Sequence, residues 1–263
     1  MTDGGGLRLL GCSIRVPDLE LAHSFYCGKL GFQPVAVNDG IIELGGALPI
    51  FLERVPPGPV PATDQARTLL MLQVRDFTAA SSWFRDNQIP LVTGAANPLA
   101  IGVVDCFRDP FGNIHSFVQL DDPSGRERSE PHVYNVGQRM PISAIPEARR
   151  IYSDVLGFGV RTDRYYPPAL PMMNPDGTFA FVIYDKPSFL DDFRSKAALY
   201  PAENGCLLVF ETRDIAQYRN YLLARAPRLR MTGVEDFALG RRMALIDNAG
   251  IASEIWELAA RSR

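Results

Sequence analysis

The chain is poor in the residues on which metal sites, nucleophilic catalysis and disulfide frameworks depend. Its 263 residues include three histidines and four cysteines. Cys12, Cys27, Cys106 and Cys206 show no CxxC spacing, so they read as reduced thiols of a cytoplasmic protein. His23, His115 and His132 are never at helical ligand spacing, and no HExxH occurs. GxSxG and P-loop strings are absent too, which removes the commonest signatures of hydrolases and nucleotide binders. No apolar run approaches the ~18 residues of a membrane span. The opening MTDGGG lacks the basic-then-apolar pattern of a secretory signal. A formal net charge of −3 and a pI near 5.7 argue against a nucleic-acid surface, which needs a basic stripe.

What the chain does have is repetition. FYCGKLGF begins at Phe25 and IYSDVLGF at Ile151, 126 positions later. A second echo joins FRDPFGNIHSFVQL, from Phe107, to LIDNAGIASEIWEL, from Leu245, at a spacing of 138. Repeats this long imply a duplicated globular module rather than a solenoid. Each half divides again. The alternating run GCSIRV reads as a strand, Asp18 as an N-cap, and Leu21, Phe25 and Tyr26 as one face of a helix that Gly28 or Gly31 ends. Strand patterns follow, separated by NDG and GG turns. LLMLQV restarts the order, with Asp76 capping a helix that carries Trp83 and Phe84. The second half opens with a strand expected at Val136–Ile142 and a helix started by Pro146; Asp214 caps a later helix, and strands at Arg241–Asp247 and Ala252–Leu258 close it. The expected class is α+β: tandem βαβββ units, four in all. They divide into modules at 1–122 and 132–263, joined by a linker at 123–131 rich in charge, Ser, Pro and Gly.

A strand ending VPD, a helix ending FYxxxLGF and a closing DPxGNxxxF together resemble the vicinal oxygen chelate superfamily, which includes glyoxalase I, bleomycin-resistance proteins and extradiol dioxygenases. The resemblance implies paired βαβββ units whose curved, open sheets wrap a cavity. It also implies a divalent metal held by His or Glu, at the first strand of a unit and in its last strand. Counted from the motifs, those positions read Gly11, Leu69 and Ser116 in the first half and Gly137, Leu207 and Glu254 in the second. The count superposes Gly11 on Gly137 and Ser116 on Glu254. One carboxylate among glycine, leucine and serine does not make a site that needs about three protein ligands. Neither a metal nor another cofactor is therefore expected.

Strand alternation sends Ser13, Arg15, Gln73 and Ser116 toward the first cavity, and Arg139, Glu211, Glu254 and Trp256 toward the second. Glu254 is the candidate acid or base, with Arg139 its expected counter-charge. Tyr166 and Met172, in a Pro-rich loop, are expected to cover the cavity mouth. His115 is one residue out of phase and is expected under a helix. The leading functional expectation is metal-independent binding of a small organic ligand by a monomer or homodimer. The alternatives are a lyase, isomerase or ring-cleaving dioxygenase working through Glu254, and a scaffold whose cavities are filled by side chains.

Overall fold

The computed structural model describes residues 6–46, 48–55, 67–99, 102–121, 132–140, 142–161, 169–184 and 205–259. The first unit comprises strand β1 (Arg8–Val16), helix α1 (Leu19–His23, continued as a π-helical stretch Ser24–Lys29), β2 (Pro34–Asn38), β3 (Ile41–Leu44) and β4 (Ile50–Arg54). The second has β5 (Arg67–Gln73), α2 (Phe77–Asp86), β6 (Asn97–Leu99), β7 (Gly102–Arg108) and β8 (Ile114–Leu120). In the third, β9 (His132–Arg139) leads through a 3₁₀ turn (Ile142–Ala144) to α3 (Ile145–Arg149, with a π-helical stretch Arg150–Val155), β10 (Gly159–Val160), β11 (Ala169–Met173) and β12 (Phe179–Tyr184). The fourth has β13 (Cys206–Glu211), α4 (Ile215–Arg225), β14 (Arg230–Met231), β15 (Glu235–Phe237), β16 (Gly240–Ile246) and β17 (Ala252–Leu258).

The helices start where the side chains can satisfy their free N–H groups. Asp18 accepts from Glu20 and Leu21, Asp76 from Ala79, and Asp214 from Gln217. Helix α3 lacks a side-chain cap and has Pro146 in its first turn instead. Two further acceptors come from the last strands: Gln119 takes the N–H of Phe77, and Glu257 that of Ile215. After the π-helical stretch, Gly31 turns the chain at φ 79° and Gly157 does so at φ 85°, in the left-handed region that glycine enters without strain.

Two open mixed sheets result. One runs β14-β16-β17-β13-β1-β4-β3-β2, with β15 beside β16; the other runs β10-β11-β12-β9-β5-β8-β7-β6. The strands do not pair half by half. The first sheet joins the first unit to the fourth, and the second joins the second unit to the third. The seams are the antiparallel pairs β1/β13 and β5/β9. The first strand of every unit has one edge left free by its own unit, and pairing it with another unit satisfies its backbone groups. The repeat fixes the units, not which edges meet.

One face of each sheet contributes to a single shared core. Cys12, Ile14 and Val16 of β1, Leu70 and Leu72 of β5, Phe117 and Phe210 lie in it together with Phe25, Tyr26 and Tyr152 of the helices. Alternation sends the intervening residues to the outer faces. These carry two separate clusters: Ile41, Phe51, Val209 and Trp256 on the first sheet, and Leu69, Cys106 and Ile114 on the second.

The register corrects one expected superposition. Ser116 and Glu254 occupy matching places, since Ser116 lies between Met71 and Cys106, and Glu254 between Val209 and Ala244. At the seams, however, Gly11 pairs with Val209 whereas Asn135 pairs with Met71. Asn135, not Gly137, therefore stands where Gly11 stands. The counterpart of Arg15-Val16-Pro17 is Arg139-Met140-Pro141, and the third unit inserts two residues before its helix, where the 3₁₀ turn lies.

Candidate functional site

On the outer face of the first sheet, residues from both halves converge. Arg15 forms an ion pair with Glu254, which is almost fully buried, and Trp256 Nε1 donates to the other oxygen of Glu254 at 2.7 Å. Arg242 forms an ion pair with Glu53, lies 3.9 Å from Glu254, and bonds the exposed Glu235 at 2.7 Å. Ser13 Oγ donates to Glu53 at 3.4 Å. Burial works against the charge of Arg242, but Glu254 and Glu53 beside it hold its pKa above the ordinary guanidinium value. Trp256 packs between Phe51 and Phe237 at ring-centroid distances of 4.8 Å each, and Arg242 lies 5.0 Å from the Phe237 ring centre. Trp256 and Phe51 are 0% and 1% exposed, so this face is closed by its own side chains.

Several expectations change here. The cation opposite Glu254 is Arg15 from the first half, because the fourth unit pairs with the first. Arg139 lies on β9 in the other sheet, paired across the backbone with Arg67 and Tyr184. Glu211 sits at the sheet surface in an ion pair with Arg8 at 2.5 Å. Met172 is buried in the shared core and covers no mouth. Tyr166 lies outside the described residues. Glu53 and Arg242 were missed; the strings IFLER and GRRMALI alternate as strands, but nothing local shows that β4 and β16 face one another's charges across β1, β13 and β17.

The outer face of the second sheet is chemically different. Matching positions replace Glu254 by Ser116, Trp256 by Val118, Arg242 by Val104 and Glu211 by Gln73. One row of cross-strand neighbours reads Asn135, Met71, Ser116, Cys106. The Ser116 hydroxyl bonds to the Leu70 carbonyl at 3.3 Å. Gln73 Oε1 and Asn135 Oδ1 are buried without a hydrogen-bond partner.

Neither face fits the divalent metal that the fold implies. At Gly11 a Cβ would lie 2.3 Å from the Pro49 carbonyl oxygen, so no ligating side chain fits without moving backbone. Leu207 and Leu69 are apolar, and Glu254 is already bound by Arg15 and Trp256. Among the described residues no group of three His, Cys, Asp or Glu side chains has metal-binding geometry.

A pair of buried polar clusters lies on the inner side. Asp109 accepts the N–H groups of Phe111 and Asn113 and the hydroxyl of Tyr26 at 2.7 Å; Asp247 accepts those of Ala249 and Ile251 and the hydroxyl of Tyr152 at 3.2 Å. These are the two halves of the second sequence echo. They differ at His115, whose Nε2 lies 2.8 Å from Tyr26 Oη, against Ser253 in the matching place. Burial raises both carboxyls. At Asp109, His115, Asn113 and Tyr26 reverse the effect and leave the pKa lowered, whereas at Asp247 burial prevails and carries it to about 6. His115 is buried under α1 and turned away from both outer faces.

No helix among the described residues is long and apolar enough to cross a membrane. Residues 8–117 match the model of the Glyoxalase/Bleomycin resistance protein/Dioxygenase superfamily. No curated protein matches the chain. Among solved structures, glyoxalase I from Zea mays is similar at 12% identity, with 95% of this chain and 92% of that one covered and a TM-score of 0.61. A point mutant of the same enzyme gives 12% identity, 95% and 93% coverage and a TM-score of 0.62. At such identity the likeness is one of fold, and site chemistry is read from the residues present. Motifs, unit order and architecture agree: residues 8–117 match the glyoxalase/bleomycin resistance protein/dioxygenase superfamily, and the described chain shares the fold of the solved glyoxalase I structures.

Proposed function

We propose that this protein binds a small organic molecule without a metal, and that the outer face of the second sheet is the binding face. The donor set carries the reading. The family-type positions hold Gly11, Leu69, Ser116, Asn135 and Leu207, and the one carboxylate, Glu254, is held by Arg15 and Trp256. With both its oxygens engaged, Glu254 serves as a brace for the first sheet rather than as an acid or base. At the places of Glu254, Trp256, Arg242 and Glu211 the second sheet has the small or neutral Ser116, Val118, Val104 and Gln73, and the amide oxygens of Gln73 and Asn135 lack partners. A few polar groups among apolar ones are what a small-molecule site presents. Elemental analysis of the purified protein, with native mass spectrometry of the same sample, tests this. The expected result is far less than one zinc, iron, nickel or manganese per chain. A stoichiometric metal whose removal abolishes ligand binding would overturn it.

A further inference from the structure

The second sheet also points to the chemistry of the ligand, provided that its outer face is the binding face proposed above. Gln73 Oε1 and Asn135 Oδ1 are shut away from solvent and accept no hydrogen bond. A buried polar atom without a partner costs stability, and a native structure keeps few of them without a reason. Both are on neighbouring strands of one seam. Asn135 pairs with Met71, and Gln73 stands two residues further along β5. Alternation puts Met71 and Gln73 on the same side as Leu69, away from Leu70 and Leu72 in the shared core. Thr68 Oγ1 and Gln138 Oε1 are orphaned too, but they sit on paired residues of the inner side, within the packed core.

Beside the two amides the described side chains of this face are apolar or neutral; those of Arg67 and Arg139, which share its alternation phase, lie outside the described part of the structure. Val118 adjoins Gln73, and Ser116 adjoins Met71 with its hydroxyl committed to the Leu70 carbonyl. On the first sheet the places matching Ser116 and Val118 carry the charged Glu254 and the bulky Trp256. We infer that the second face takes an organic molecule with an apolar body and an uncharged N–H or O–H donor group, such as an amide or a phenol, which donates to Asn135 Oδ1 and Gln73 Oε1. Two acceptors held by strand backbones discriminate against a carboxylate, which has no hydrogen to give and would put oxygen against oxygen.

Benzamide and benzoate share a skeleton and differ in this property, so they serve as the two probes. The full-length protein and its Asn135→Leu and Gln73→Met variants are titrated with each by calorimetry and by ligand-observed NMR. Benzamide is expected to bind saturably and benzoate at least tenfold more weakly. Each variant is expected to lose tenfold or more of its benzamide affinity. Both variants, in the absence of ligand, should melt no lower than the parent, since each removes an unpaired buried oxygen and keeps the shape. Glu254→Gln should bind benzamide as the parent does. Benzoate binding that equals benzamide binding and is lost in Asn135→Leu would overturn the donor chemistry while leaving the face as the binding site. Absence of saturable binding by either probe, or binding indifferent to both variants, would overturn the face as well. Variants that melt well below the parent would show that the two oxygens already have partners, and would also overturn the inference.

Discussion

Removing either partner of the Arg15–Glu254 pair should give unequal losses, and the asymmetry follows from exposure. Glu254 is 2% exposed at its side chain and Arg15 31%. In Arg15→Met the carboxylate stays buried with Trp256 Nε1 as its direct donor and Arg242 3.9 Å away. Stranding a buried charge costs about 3–5 kcal/mol. The nearby Arg242 offsets part of this, so about 2–4 kcal/mol is expected. In Glu254→Gln the residue left without its partner is Arg15, which reaches solvent and can be rehydrated, while the glutamine oxygen still accepts from Trp256. Because solvent screens that side, the loss should be smaller, about 1–2 kcal/mol. For a chain of this size about 1 kcal/mol corresponds to roughly 2–4 °C in melting temperature. Thermal melts at neutral pH should therefore rank parent, Glu254→Gln, Arg15→Met from most to least stable. The double variant should recover most of the Arg15→Met loss, since deleting both partners leaves no stranded charge. Equal losses in the two single variants, or a double variant whose losses simply add, would refute the brace. An unchanged melting temperature in Glu254→Gln with lost ligand binding would return Glu254 to a functional role.

Asp247, with its pKa raised to about 6 from an ordinary 3.8, holds its proton more tightly folded than unfolded. Its contribution is therefore full below about pH 4 and is lost as pH rises through about 6, on the order of 3 kcal/mol. Asp247→Asn, neutral at every pH, should flatten that part of the stability profile in denaturant titrations between pH 4 and 7; an unaltered slope would contradict the assignment. Gly11→Ala should lower the melting temperature sharply because its Cβ would meet the rigid Pro49 carbonyl at 2.3 Å, whereas in Gly137→Ala the nearest atom, 2.5 Å away, belongs to the Tyr184 ring, which can turn. Equal effects would show that the two glycines have the same surroundings. Cys27 is partly exposed and Cys12, Cys106 and Cys206 are buried, so a thiol reagent should label Cys27 first and the others only on unfolding, as peptide mapping would show.

Much of the fold is legible in the sequence because it rests on local chemistry. Asp18, Asp76 and Asp214 cap helices wherever an aspartate precedes an apolar 3.6-residue pattern, and alternation along GCSIRV or ASEIWEL places Ser13, Arg15, Glu254 and Trp256 on an outer face. The echoes of LGF and of the Asp109 and Asp247 turns reveal the duplicated units. The poverty of metal donors at the family positions is likewise a property of the string. The pairing of units is not. A free strand edge carries the same N–H and C=O groups whichever unit supplies it, so no local signal tells β1 to meet β13 rather than β5. That choice alone put Arg15 opposite Glu254 and left Arg139 in the other sheet. Nor does a motif count resolve a two-residue insertion before a helix, and a shift of two keeps the same face while moving the side chain one place along it. Asn135 thereby entered the row of Met71 and Ser116 in place of Gly137. Burial of Glu254, the closure of the first outer face by Trp256 and Phe51, and the unpaired oxygens of Gln73 and Asn135 are all outcomes of packing between residues distant in sequence, and tertiary structure alone decided them.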